Sequence, residues 1–376
     1  ATPLHVAVMQ RRSETVALLL ESGANIGAAN GNGQTALHFA AYRGDVDAIK
    51  QLLKAGAAAG LKDAGGRTPR DWAAHRGFDA AVTALGGAVA RPERFGDLKG
   101  LKTFPRGILQ TGVKLIDLFA PLAHGGVNAL FTPLSGIGKV VMLEQLIDVM
   151  ARVHGGHTHF LGITGQHYTG PDFEVELRDV GLETVCSLTF APGGDEDAMT
   201  KAVKTVAAAI DPAVESLVMV DALFAEVAGL QQRVENLAGA KCTVLWYGNH
   251  TAGVEPDVFS PATGVIGFEL WRALNGFWPS IDPLRSHSTL IADRHAKLVS
   301  SAKRLLRRNE ATQARRLHAY LSQPLPIAEL WTNTFGELVP LDLALDGLEA
   351  VLDGRADDVS EADLRTIAGT RLLIRR

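Results

Sequence analysis

The sequence predicts a helical solenoid, then an α/β domain on a parallel sheet, then an all-helical C-terminal region. Three observations predict it: a 33-residue period across the first 90 residues, apolar runs alternating with amphipathic helices from Arg106, and helical periodicity alone after Asp293. The expected divisions are 1–90 for the solenoid, 91–104 for a linker, 105–293 for the α/β domain and 294–376 for the helical domain. A chain of 376 residues needs more than one core, because single cores rarely grow past roughly 250 residues.

Composition narrows the function classes. A formal net charge of −4 with 6% aromatic residues provides neither a positive field nor a stacking surface for nucleic acid. A small anionic ligand would have to be captured locally. The two cysteines, Cys186 and Cys242, lie in apolar runs that read as buried strands, which is thiol packing and not a disulfide framework. No apolar run is long enough to span a bilayer, so an integral membrane protein is not expected and the cytoplasm is the default location.

The period begins with Thr2-Pro3-Leu4-His5-Val6-Ala7, recurs as Thr35-Ala36-Leu37-His38-Phe39-Ala40, and returns altered as Thr68-Pro69-Arg70-Asp71-Trp72-Ala73. A second helical pattern follows the first two, at Thr15–Leu20 and Ala48–Leu53, and Gly23 and Gly56 then supply left-handed turns. The polar stretches AANGNGQ and LKDAGGR suit exposed fingers. These segments resemble ankyrin repeats. The resemblance implies a protein partner on the ankyrin face, and it assigns His5 and His38 to backbone hydrogen bonds, not to a metal. The first residue falls inside a repeat, so further repeats are expected upstream. The third repeat loses Leu-His to Arg70-Asp71, as expected where stacking stops. Charged and Pro- and Gly-bearing, Arg91–Asp97 suits a linker.

Strands are expected at Val127–Phe131, His159–Ile163, Val185–Phe190, Leu217–Asp221 and Cys242–Trp246, with helices at Val140–His154 and Asp172–Val180. Strands separated by helices imply parallel pairing. Beyond Asp293, helical periodicity covers Ala296–Leu321, Leu341–Leu352 and Glu361–Ile367.

Where the first long strand should turn into a helix stands Thr132-Pro133-Leu134-Ser135-Gly136-Ile137-Gly138-Lys139-Val140. A phosphate loop needs glycines where backbone amides converge on phosphate, a lysine reaching the terminal phosphates, and a hydroxyl to hold magnesium. Gly136, Gly138 and Lys139 meet the first two needs. Pro133 replaces the opening glycine of that pattern, and Val140 stands where the hydroxyl belongs.

Flanking segments strengthen the reading. Gly107–Pro121 with His124-Gly125-Gly126, Ser216–Phe224, Trp278-Pro279-Ser280-Ile281-Asp282-Pro283-Leu284, and Tyr320–Pro324 with Ala328-Glu329 are similar, in the same order, to segments of rotary ATP synthase beta subunits. The resemblance runs from about Arg106 to the C-terminus. It implies a RecA-like P-loop fold, ATP or ADP as ligand with or without magnesium, a location peripheral to a membrane complex, and assembly with like or unlike ATP-synthase-type subunits.

Residue by residue, the resemblance gives Lys139 to the phosphate and makes Asp221 the acid that orders magnesium through water. Trp278 falls at the adenine-stacking tyrosine and Tyr320 at an aromatic beside the base. Other parts are lost. Where the family carries a general-base glutamate, this chain has Gly165 or Gln166, and neither accepts a proton from water at neutral pH. His167 stands in a glycine-rich turn and is read as a loop residue. Two arginines that spread phosphoryl charge become Ala225 and Thr289, with Arg285 off register. The family's N-terminal barrel is replaced by the repeats, and the expected acidic lever by a basic run within Asp293–Arg316.

Three functions stand open at this stage: a nucleotide-binding protein with impaired catalysis and repeats for protein binding, an active ATPase or proton-transporting ATP synthase subunit, and an interaction protein with no nucleotide.

Overall fold

The computed structural model describes residues 1–87, 98–133, 138–164, 171–249, 262–308 and 312–366. The chain divides into two compact units. One contains Ala1–Gly96 together with Val175–Gly181 and Ile327–Phe335; the other contains Asp97–Glu174, Leu182–Pro326 and Gly336–Arg376.

In the first unit, helix pairs follow the sequence period: Pro3–Met9 with Ser13–Glu21, Ala36–Arg43 with Val46–Lys54, and Pro69–His75 with Asp79–Ala84. Gly23 and Gly56 take left-handed backbone at φ 79° and 97°. Leu4, Val8, Leu37, Ile49, Leu52 and Trp72 bury a continuous core across the repeats.

The Thr-x-x-His motif has two tasks. His5 Nδ1 accepts from the Thr2 amide at 3.0 Å, capping its helix, while its Nε2 donates to the Gln34 carbonyl of the next repeat at 3.0 Å. His38 does the same with Thr35 at 3.0 Å and Arg67 at 3.2 Å. Burial lowers the pKa of both rings, and the neutral imidazole has one acceptor and one donor to divide between cap and neighbour. In the third repeat Asp71 accepts from the Thr68 amide at 2.8 Å, keeping the cap without the donor.

Among its described residues the second unit holds two sheets. β1 (Ile108–Leu109) pairs antiparallel with β2 (Leu122–Ala123). The main sheet comprises β3 (Val127–Thr132), β4 (His157–Thr164), β5 (Cys186–Pro192), β6 (Ser216–Asp221), β7 (Cys242–Asn249), β8 (Gly264–Gly267) and β9 (His287–Ser288). Its order is β5-β4-β6-β7-β3-β8-β9, parallel except for the antiparallel edge strand β9. Side chains alternate between faces. Ala129, Phe131, Leu161, Ile163, Val218, Val220, Val244 and Trp246 pack one face against Met199, Val203 and Val206 of helix Glu196–Ala209.

Both cysteines are free and buried, and burial raises the Cys186 thiol to about 12 and that of Cys242 to about 11. The helical periodicity over Ala296–Leu321 falls in two helices, Asp293–Leu306 and Thr312–Leu321, the first closing at Arg307 where the apolar periodicity gives way to Arg-Arg-Asn-Glu. Helices Leu341–Leu352 and Glu361–Thr366 follow. Among the described residues, no helix is long and apolar enough to cross a membrane, and no cluster of three potential metal ligands occurs.

Candidate functional site

The site is built at the carboxyl ends of the parallel strands, where an α/β sheet offers its crevice. β3 ends at Thr132, and helix Lys139–Arg152 begins after Gly138, whose φ of 93° suits glycine. A side chain there would also collide with Trp278, since a Cβ on Gly138 would lie 2.9 Å from the indole. Residues 134–137 lie outside the described residues, and Gly136 with them; so do Gly165, Gln166 and His167.

Asn249 closes β7 in register with Thr132 and gathers the site. Its Oδ1 accepts from Lys139 Nζ at 3.0 Å and from the Thr132 hydroxyl at 2.9 Å. Lys139 is therefore held by a neutral acceptor. Asp221 ends β6 opposite Tyr247, and its Oδ1 accepts from the Leu223 amide at 3.0 Å. Burial lowers the Lys139 pKa and Asp221 opposes that shift; burial raises the Asp221 pKa, with the Leu223 amide and Lys139 opposing. A half-buried cation that, among the described residues, is hydrogen-bonded to a neutral amide oxygen at the start of a 14-residue helix suits an anionic group. For magnesium, Val140 presents no side-chain oxygen at the second helical position, and among the described residues Asp221 is the carboxylate in the field of Lys139.

Residues 4–90 match the family described as ankyrin repeats, in three copies. Over 68–69% of its length the chain is similar to three curated proteins: ATP synthase subunit beta 2 of Gluconobacter oxydans at 27% identity, ATP synthase subunit beta of Coprothermobacter proteolyticus at 27%, and ATP synthase subunit beta 1 of Pseudoalteromonas atlantica at 26%. The aligned part spans 66%, 72% and 60% of those proteins. Ankyrin repeats at residues 4–90 and a similarity to ATP synthase beta subunits over about 68% of the chain are together consistent with a fusion. The sheet described above agrees with the RecA-like fold that this homology suggests.

At the site, Trp278 remains 45% exposed beside the Gly138 turn. Its carbonyl accepts from the Gln323 amide at 2.8 Å, joining the two segments expected around a base. Tyr320, expected beside that base, is instead fully buried: its hydroxyl donates to the Ala344 carbonyl at 2.7 Å and Lys114 Nζ lies 4.4 Å above its ring. Of the two aromatics expected beside the base, Trp278 is thus the exposed one. Ala225 sits in the turn after β6 and packs against the core; Arg285 is 68% exposed and pairs with Asp282 at 3.5 Å.

Three residues near this site escaped the sequence reading. Asn249 is one; the signal was a polar side chain closing an apolar strand. Arg272 is fully buried, and it donates to His318 Nδ1 at 2.7 Å and to the Pro279 carbonyl at 3.4 Å, supporting the Trp278 segment from below. Its pKa falls to about 10 and that of His318 to about 3, in each case first through burial.

Glu269 is the third. Burial and the neighbouring Asp282 raise its pKa from 4.5 to about 7, against Arg272 and Arg285. Between those values the folded chain holds a proton that the unfolded chain has lost, so stability falls as pH rises through that window. Glu269→Gln stays neutral throughout and should be more stable than the parent at pH 8 but not at pH 4.5. Urea midpoints at the two pH values check this, and a parallel fall in both proteins would overturn the assignment.

Proposed function

We propose that the segment from about residue 105 to 293 binds a purine nucleotide, ATP or ADP, at the ends of β3, β6 and β7, and turns it over poorly or not at all. The observation that supports this most is the Lys139–Asn249 contact with Asp221 nearby: a cation poised for phosphate and held by a side chain that gives it up without leaving a buried charge unpaired. Trp278, exposed beside the Gly138 turn, offers the stacking face for the base. The absent glutamate, Val140 in place of a hydroxyl, and the alanine and threonine at the arginine positions support weak turnover, because they remove water activation and charge neutralisation. Proteins bind through the repeats, which makes the whole a nucleotide-responsive interaction protein.

A thermal shift experiment tests the binding. Nucleotide at about 100 times its dissociation constant contributes roughly 2.7 kcal/mol to the folded state, so Mg-ATP should raise Tm by a few degrees in the parent and not in Lys139→Ala. The same rise in both proteins, or in neither, would remove the nucleotide reading. Phosphate release then separates binding from catalysis: brisk turnover that Lys139→Ala abolishes would instead make the chain a working ATPase.

A further inference from the structure

Within the first unit, residues 327–335 of the chain lie against Asn32, Gln34, Arg67, Trp72 and His75 of the ankyrin repeats. Four side chains of this segment are individually recognised. Glu329 Oε1 lies 2.5 Å from His75 Nε2, and both are buried. Leu330 enters the repeat core, 2% exposed. Asn333, in left-handed backbone at φ 51°, has its carbonyl bound by Arg67 Nη2 at 2.6 Å and its side chain by Gln34 Nε2 at 3.2 Å. Phe335 stacks flat on His75 at 3.8 Å, meets the edge of Trp72 at 4.9 Å, and has the Arg67 guanidinium 4.6 Å from its ring. Between them, Trp331 leaves its side chain 53% exposed and is held by its carbonyl, which accepts from Asn32 Nδ2 at 3.2 Å.

We infer that the ankyrin repeats carry a specific peptide site for the pattern Glu-Leu-x-x-Asn-x-Phe, formed by Asn32, Gln34, Arg67, Trp72 and His75 and filled by Glu329–Phe335 of this chain. Each specified position has its own physical selection. A buried imidazole selects a carboxylate, since leaving either partner alone in the interior is costly. A box of two aromatic rings and a guanidinium selects an aromatic ring. The left-handed residue with a bound side-chain oxygen selects asparagine. The unspecified positions are those where side chains face water or only the main chain is held. A covalently attached segment acts at an effective concentration of about millimolar, so a partner with this pattern competes against a tethered rival. The inference concerns the repeats and stands whether or not a nucleotide binds.

The test uses the full chain and a labelled peptide with the sequence of residues 327–335. Glu329→Ala with Phe335→Ala empties the site, and fluorescence anisotropy should show the peptide binding this variant at least ~10-fold more tightly than the parent. Adding Arg67→Ala, or replacing the phenylalanine of the peptide by alanine, should abolish the gain. If circular dichroism shows the double variant unfolded, Asn333→Ala alone, which removes a half-exposed side chain, should show a smaller gain of the same sign. Equal binding to the parent and to a folded emptied variant, or no binding to either, overturns the site. Trp331→Ala in the peptide should bind like the original; a loss there would overturn the pattern.

Discussion

Trp72→Ala should lower the stability of the repeat unit by about 3–5 kcal/mol, the range for removing a buried large aromatic side chain. Trp72 is fully buried, edge-on to Tyr42 at 5.8 Å and to Phe335 at 4.9 Å, with the Arg67 guanidinium 4.7 Å from its ring. Its indole nitrogen donates to Asp63 Oδ2 at 2.9 Å. Two effects are therefore combined in the alanine variant, and Trp72→Phe separates them. Phenylalanine keeps most of the ring volume and loses the donor. Asp63 retains the Gly65 amide at 2.8 Å, the Arg67 amide at 2.9 Å and Arg67 Nε at 3.1 Å, so the missing bond should cost only about 1 kcal/mol. Urea unfolding of both variants gives the comparison. Equal losses would mean that the Asp63 bond, not ring volume, dominates at this position.

Gly347→Val should destabilise the second unit by about 1–3 kcal/mol through overpacking. Gly347 lies inside helix Leu341–Leu352, where alanine would ordinarily be favoured by about 1 kcal/mol. Here the sign reverses. A Cβ on Gly347 would lie 2.5 Å from the Tyr320 hydroxyl and 2.9 Å from two of its ring carbons. The ring cannot retreat, because its hydroxyl is bonded to the Ala344 carbonyl and Lys114 covers its face. Gly347→Ala should therefore also destabilise, by less, and Tyr320→Phe should recover part of that loss by removing the nearest atom. A double-mutant cycle on thermal unfolding reads this directly. Additive effects would mean that the clash is relieved elsewhere.

The central strands were legible because β6 and β7 are runs of buried, mostly apolar residues with both faces covered. β8 and β9 were not, since Gly264–Gly267 and His287–Ser288 are too short and too poor in apolar side chains to display a period. At the candidate site, Lys139 and Asp221 could be found from local motifs, whereas Asn249 lies 110 positions from the lysine it binds. Tyr320 shows the opposite failure: alignment of one short segment says nothing about which way a ring turns, and its burial depends on Lys114 and the helix around Gly347. The peptide site was hidden for the same reason as Asn249, since His75 and Glu329 are 254 positions apart.

The change from His to Asp71 gives the repeat array a chemical terminus. Each earlier repeat hands one imidazole N–H forward to the finger that follows it, and Asp71 has no such proton to offer. Anyone lengthening this solenoid by grafting consensus modules after residue 87 would thus begin at a junction lacking its hydrogen bond. Restoring histidine at position 71 would be the first repair to make in such a design.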